Sequence, residues 1–233
     1  MNHLKGIKGD KEFEHSVKAA YKEFAEEPMD ENYRHPVIGL ISGGRVRRLL
    51  REAGNLKGKS LLEVGCEAGY VSIQFKKKGA TVTAFDVCEP ALERFRQKKE
   101  SAGITIFAAA AQKIPLKDNS FDVVVCTEVI EHMPKVEQCI GEMARVLKQG
   151  GKLYITFPNE KLRKPFYPLA QAMGINTSIE DEVTLYDYKF SYILSLCRKH
   201  LRVEKKFSWP FFLPLTRFIV AKKEAMTVIT APS

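Results

Sequence analysis

The chain has 233 residues, of which 45% are hydrophobic and 28% charged, and its formal net charge is +9. This length fits one sizeable α/β domain, and the composition excludes a disordered or fibrous protein. No window approaches the roughly 18 uninterrupted apolar residues of a membrane-spanning helix, and no apolar secretory signal opens the sequence. The five cysteines are scattered without a CxxC pair. They are therefore expected to be buried free thiols, and a cytoplasmic location is predicted.

Residues 1–48 form the first predicted region, in which an amphipathic stretch at 13–24 precedes a segment interrupted by proline and glycine. Such a region is either a helical cap that packs on the core or a lid over a ligand site. From 49 to 223, short β-branched runs alternate with charged segments of helical period, which predicts a parallel sheet covered by helices on both sides. The first predicted strands are 60–64, 81–86, 104–108, 121–127 and 152–157, and the helices between them are 70–78, 90–102 and 135–148.

An insertion at about 160–185 follows the fifth strand, and it is the expected determinant of specificity for a second ligand. A helix is predicted at 187–200, followed by strands at 201–207 and 216–222 that pair as a hairpin. The apolar hairpin loop, 209–214, is interpreted as a connection that covers the core. The alternative is an exposed apolar patch that suits a lipid-like ligand or peripheral contact with a membrane. Residues 224–233 are expected to form a tail.

The segment LLEVGCEAGY, in which a predicted strand turns into a helix, is the strongest local signal. Glu63 at the strand end can hold a charged amino group, while Gly65 and Gly69 allow close approach of the backbone to a ligand. About 20 residues further on, Asp86 ends the next predicted strand, where a carboxylate can accept both hydroxyls of a ribose. This arrangement predicts a nucleotide-binding site, although the G-x-G-x-x-G spacing of nicotinamide-binding enzymes is absent.

Residues 60–159 resemble the class I methyltransferase domain, of the small-molecule type related to ubiquinone and menaquinone biosynthesis enzymes. The pieces that carry the resemblance are LLEVGCEAGY, VTAFDVCEPALE, AAQKIPLKDNSFDVVVCTEVIEHMP and RVLKQGGKLYITFPN. It implies a doubly wound, Rossmann-like α/β fold whose seven-stranded sheet is mostly parallel with an antiparallel last strand. It also implies that S-adenosylmethionine is the cofactor. The cofactor-binding residues that it implies are Glu63, Gly65, Cys66, Gly69, Asp86, Val87, Ala111, Gln112 and Thr127.

Two positions depart from the family pattern. Glu67 stands where the middle glycine of the turn is usual, and Ala110 stands where an aspartate often contacts the adenine. Gln112 is a candidate for replacing the lost acceptor. One alternative is therefore a non-catalytic cofactor-binding protein with a degenerate pocket.

The segment TEVIEH lies just past the fourth predicted strand, at the sheet edge where such folds bind ligands. The resemblance puts His132 near the methyl acceptor, where it would act as general base. The same spacing resembles a magnesium-dependent subset that includes RNA 2′-O-methyltransferases, in which Glu128, Glu131 and His132 would be metal ligands. A third interpretation is that these are polar loop residues.

The predicted function is methylation, by an S-adenosylmethionine-dependent methyltransferase, of an oxygen on a small, lipid-like or quinone-like acceptor. RNA methylation is the alternative that the positive charge and the TEVIEH segment allow. Nucleic acid is nevertheless not an expected partner, because no basic cluster is interleaved with aromatic residues. The sequence does not determine an oligomeric state.

Overall fold

The computed structural model describes residues 11–26, 33, 38–172 and 184–224. Predictions for residues 1–10, 27–32, 34–37, 173–183 and 225–233, including most of the segment interrupted by proline, lie outside the described residues. The strands are β1 (Ser60–Val64), β2 (Thr81–Asp86), β3 (Thr105–Ala108), β4 (Phe121–Thr127), β5 (Leu147–Pro158), β6 (Arg202–Trp209) and β7 (Thr216–Lys222). The helices are α1 (Lys11–Glu26), α2 (Ile38–Ala53), α3 (Tyr70–Lys77), α4 (Glu89–Arg96), α5 (Val136–Val146), α6 (Glu160–Arg163), α7 (Tyr167–Ala172) and α8 (Phe190–His200). Short 3₁₀ helices lie at Lys99–Ser101, Ile130–His132 and Lys164–Phe166.

All seven strands form one sheet in the order β3-β2-β1-β4-β5-β7-β6. The first five are parallel to one another. β7 lies between β5 and β6 and is antiparallel to both. The predicted fold, a mostly parallel Rossmann-like sheet with an antiparallel last strand, is confirmed.

Both faces of the sheet are covered, because successive residues of a strand point to opposite sides. Leu62 packs in a cluster with Ile140 of α5 and Ile193 of α8. Its neighbour Leu61 packs on the other side, in a cluster with Phe75 of α3 and the buried side chains of α2 and α4. The central strands therefore consist of continuous apolar runs, which is the pattern from which the parallel sheet was predicted.

Two helices end earlier than predicted. The helix predicted at 90–102 stops at Arg96 and is followed by the separate 3₁₀ turn Lys99–Ser101. The helix predicted at 135–148 stops at Val146, because Leu147 already pairs with Phe121 of β4. Local propensity favours longer helices at both places, but strand pairing between distant residues decides where the second one ends.

α2 is a continuous helix where the sequence indicated an interrupted segment. Gly43 and Gly44 lie inside it, and a Cβ at Gly44 would come within 2.5 Å of the Trp209 ring. Val46 and Leu49 of the same helix are buried in the core beneath it. Close packing against β6 and the sheet therefore compensates for the low helix propensity of glycine. The proposed boundary between residues 48 and 49 falls within this helix.

The hairpin loop 209–214 was expected to cover the core, but it does not. Phe211 is 96% exposed and Phe212 85% exposed, whereas Trp209 packs against α2. The exposed-patch alternative therefore describes this loop. Among the described residues, no helix has the length and apolar character needed to cross a membrane. All five cysteines are buried and free, as predicted.

Candidate active site

A cavity opens at the carboxyl ends of β1, β2 and β4. The chain runs outward from β1 in one direction and resumes at β4 on the other side, so this is the topological switch point at which open α/β sheets bind ligands. The cavity contains about 1080 Å³ of empty space, part of it open to solvent. The predicted site residues that line it are Glu63, Gly65, Cys66, Asp86, Val87, Ala111, Gln112, Thr127, Glu128 and His132. Gly69 and Glu131 are not among the lining residues.

The two glycines of the first turn are required by packing within the protein. Gly65 and Gly69 have φ angles of 72° and 80°, which favour glycine. A Cβ at Gly65 would come within 2.5 Å of the Val129 side chain, and one at Gly69 would overlap the ring of Phe95. From the sequence, both glycines were interpreted as allowing a ligand to approach the backbone. In the structure, the side chains of Val129 and Phe95 already leave no room for a Cβ at either position.

Asp86, the last residue of β2, presents a partly buried carboxylate to the cavity. Its Oδ2 accepts the backbone N–H of Glu67 at 2.8 Å, and its Oδ1 accepts that of Cys88 at 2.9 Å. Burial raises the pKa of Asp86, and these hydrogen bonds act in the opposite direction. Glu67 donates its N–H from the left-handed conformation, with φ 45°. Each oxygen of Asp86 keeps a lone pair that can accept a ligand hydroxyl.

Glu63 of β1 is 1% exposed and accepts a hydrogen bond from the hydroxyl of Ser72 on α3. Burial raises the pKa of Glu63 to about 8. A cation placed beside a buried carboxyl group favours its ionised form. Glu63 is therefore suited to a ligand that carries an ammonium group.

Arg45 of α2 lines the cavity and was missed by the sequence reasoning. Its Nη1 lies 2.9 Å from Oε2 of Glu128, and its Nη2 donates to the hydroxyl of Tyr33 at 3.0 Å. The Tyr33 ring stacks on that of Tyr70 with 3.5 Å between ring centroids. Arg45 is 5% exposed, and its Nε has no hydrogen-bond partner in the described parts of the chain. The sequence signal that could have identified Arg45 was its position next to Val46, where the helix has its apolar face.

Glu128, the first residue after β4, connects α2 to the sheet. Its backbone is in the left-handed region, with φ 52°, and its N–H donates to the carbonyl of Thr156 on β5. The Thr156 hydroxyl donates to Oε1 at 3.1 Å, while Arg45 lies against Oε2. Arg163 of α6 approaches the same Oε2 at 3.8 Å. The carboxylate is therefore held between two guanidinium groups.

Glu131 and His132 lie in the 3₁₀ turn after β4, but they differ in environment. Glu131 is 4% exposed, and burial raises its pKa to about 8. His132 lines the cavity, with its Nε2 4.0 Å from Oε1 of Glu131. Within residues 11–26, 33, 38–172 and 184–224, no group of three or more His, Cys, Asp or Glu side chains is placed to hold a metal ion. Because Arg45 and Arg163 already lie against the Glu128 carboxylate, Glu128, Glu131 and His132 do not fit the magnesium site that the spacing suggested.

A family model described as "Methyltransferase domain" matches residues 62–155. The ubiquinone biosynthesis O-methyltransferase of Coxiella burnetii is 28% identical over 156 residues, which cover 66% of each chain. The protein of the same name from Pseudomonas fluorescens is 31% identical over 127 residues, or 52% of this chain and 53% of that one. The matched segment is therefore a methyltransferase domain of the class I type.

The similarity in fold extends beyond the matched segment. The structure of magnesium protoporphyrin IX methyltransferase from Synechocystis PCC 6803, solved with bound SAH, is similar with a TM-score of 0.66 at 18% identity. That likeness covers 90% of this chain and 100% of the other. The match to the first curated relatives spans just under two thirds of their length. The matched methyltransferase domain implies S-adenosylmethionine as the cofactor.

Proposed function

We propose that the protein transfers a methyl group from S-adenosylmethionine to a hydroxyl oxygen of a small aromatic acceptor of the quinone-precursor type. The observation that carries the proposal is a single cavity that both Asp86 and His132 line. Apolar side chains, among them Phe13, Val129 and Met133, line the same space and suit an aromatic ring. The names of the curated relatives support the same acceptor class.

The polar groups of the cavity correspond to the polar parts of the cofactor. Glu63 would hold the ammonium group, because a neutral buried carboxyl group ionises when a cation lies beside it. Asp86 would accept the ribose hydroxyls with the lone pairs that Glu67 and Cys88 leave open. Arg45, which lines the cavity, would hold the carboxylate.

The adenine would lie along the strip formed by Ala111 and Gln112. Both residues line the cavity, and Ala111 is buried, with 6% exposure. The side-chain nitrogen of Gln112 donates to the carbonyl of Pro134 at 3.3 Å, and this hydrogen bond holds the Gln112 amide in place. Cys66, Val87 and the Thr127 side chain would complete the contacts of the cofactor.

His132 would serve as general base for the acceptor hydroxyl. When bound, the cofactor supplies a methyl group already activated by its sulfonium. His132 would take the proton of the acceptor hydroxyl as that oxygen becomes methylated. The backbone N–H of His132 donates to the Val129 carbonyl at 3.0 Å, which holds the residue in its turn. Alignment of the two reactants is the main contribution of the protein.

Calorimetric titration tests the cofactor assignment. We expect S-adenosylmethionine and S-adenosylhomocysteine each to bind, and Asp86→Asn to weaken both by about tenfold or more, since an amide loses an acceptor and the charge that strengthens it. Asp118→Asn, which changes an exposed carboxyl group outside the cavity, is the matched control and should bind as wild type does. Absence of binding by both ligands to the wild-type protein would refute the proposed function.

A further inference from the structure

The hairpin loop and the start of α2 together form an exposed apolar surface. Phe211 is 96% exposed, Phe212 85%, Leu40 67% and Ile41 40%. These four residues, called here the hairpin patch, line one shallow groove of about 1040 Å³ that is open to solvent. Isolated exposed apolar side chains are common, but a contiguous group of four that includes two protruding phenylalanines indicates an interaction site.

The hairpin patch rests on a rigid base. Trp209 lies so close to α2 that a Cβ at Gly44 would be 2.5 Å from its ring. The guanidinium of Arg48 lies over the ring of Phe207, 4.4 Å from its centroid. Phe207 in turn stacks on Phe218 of β7, with 4.8 Å between ring centroids. The protruding side chains are therefore presented by packed elements of the sheet and the helix.

The two segments that carry the patch are also strongly basic. Residues 38–51 and 205–217 contain seven of the 37 Lys and Arg residues of the chain and none of its 28 Asp and Glu residues. Glu52, just beyond the first segment, pairs with Arg48 and with Lys205. Arg47, Arg51 and Lys206 are exposed in the same two segments. Apolar side chains thus protrude from a surface with an excess of positive charge.

We propose that the hairpin patch docks the protein on an anionic phospholipid bilayer. Phe211 and Phe212 enter the boundary between headgroups and acyl chains, and the basic side chains lie against lipid phosphates. A second copy of the chain is a poorer occupant, because a two-fold contact would place the same basic segments against each other. The patch lies on the helix that also carries Arg45 into the cavity, so docking brings the site to the membrane surface. This inference does not depend on methyl transfer.

Sedimentation of the full chain with vesicles tests the proposal without turnover. We expect binding to phosphatidylcholine vesicles that contain phosphatidylglycerol, and weaker binding to phosphatidylcholine alone. The double variant Phe211→Ser/Phe212→Ser should bind the mixed vesicles about tenfold less tightly or weaker still. The double variant Arg47→Glu/Lys206→Glu should lose the preference for phosphatidylglycerol.

The controls change exposed side chains outside the patch. Tyr192→Ser, at a residue 43% exposed, and Lys99→Glu, also at the surface, should bind vesicles as wild type does. The proposal is refuted if the wild-type protein does not bind the mixed vesicles, or if the phenylalanine variant binds them equally well. It is also refuted if the wild type is a dimer that this variant dissociates. The charge variant tests it separately should the phenylalanine variant fold poorly.

Discussion

Individual side chains at the carboxyl edge of the sheet provide the chemistry of the candidate site. His132 and Glu131 are adjacent in sequence, yet only His132 lines the cavity, while Glu131 turns into the core. The 3₁₀ turn Ile130–His132 produces this division, because consecutive residues of so tight a turn point in different directions. The sequence identified both residues and their region, but it did not separate the residue that lines the cavity from the buried one.

His132→Ala should lower kcat for a catechol acceptor by about 10²–10⁴-fold, since the reaction loses its general base. The affinity for S-adenosylhomocysteine should stay at the wild-type value. Methyl transfer followed by mass spectrometry, together with calorimetry, measures the two quantities. Addition of EDTA is the discriminating control, because a general base needs no metal. A loss of activity with EDTA that magnesium restores would favour the metal-dependent mechanism instead.

Glu67 is the residue at which the sequence departs most clearly from the family pattern. The left-handed conformation costs a residue other than glycine roughly 1–2 kcal/mol. A hydrogen bond from its N–H to the Asp86 carboxylate stabilises the turn by a comparable amount, about 1.5–3 kcal/mol. The glycine-like turn therefore persists without the glycine, a result that the sequence left open.

At the scale of secondary-structure elements, the strands followed the sequence most closely. The predicted strands 60–64, 81–86, 121–127 and 216–222 agree with β1, β2, β4 and β7 residue for residue. Their apolar, β-branched runs give a local signal that burial on both faces of the sheet reinforces. The predicted ends of the helices at 90–102 and 135–148 were wrong, and the continuity of α2 through Gly43 and Gly44 was not predicted, because strand pairing and the packing of distant side chains determine them.

Alanine substitutions at the two adjacent glycines of α2 should change the free energy of unfolding in opposite directions. Gly43→Ala should raise the free energy of unfolding by about 0.5–1 kcal/mol, the usual gain of alanine in a helix. Its new Cβ would meet only the end of the flexible Arg47 side chain, at 3.3 Å. Gly44→Ala should lower that free energy by about 1–3 kcal/mol, because the Cβ would press on the Trp209 ring. Urea unfolding of the two variants measures the difference.

Each variant is the control for the other, since both make the same chemical change in the same helix. Equal effects of the two substitutions would show that Trp209 does not pack against Gly44 in solution. A stabilising Gly44→Ala would also remove the rigid base that the hairpin patch requires.

At the scale of the whole molecule, two buried carboxyl groups make stability depend on pH. Burial raises the pKa of Glu63 and of Glu131 to about 8, whereas glutamate in an unfolded chain titrates near about 4.3. Between these values the folded state binds more protons than the unfolded state. The stability that these groups contribute is therefore fully present below the lower value and is lost as pH rises through the upper one.

Glu131→Gln removes one of these two titrations. From about pH 5 to about pH 8, its free energy of unfolding should rise relative to wild type, by up to about 1.4 kcal/mol per pH unit. Urea unfolding across this range measures the difference. Glu137→Gln, on the exposed side of α5, is the control and should keep the wild-type dependence. A constant difference between Glu131→Gln and wild type would mean that the Glu131 carboxyl group does not change protonation in this range.

The sequence by itself determined the fold class, most strand bounds, the turn at Gly65, and the positions of Asp86 at the end of β2 and of His132 just past β4. All of these follow from patterns that are local in the chain or from the ordered motifs of the family.

Only the tertiary structure decided that Arg45 pairs with Glu128, that Trp209 packs on Gly44 and that Phe211 protrudes from the surface. Each of these facts depends on where segments far apart in the chain meet. Residue type and spacing do not predict such contacts, because the contacts depend on how the whole sheet and its helices pack.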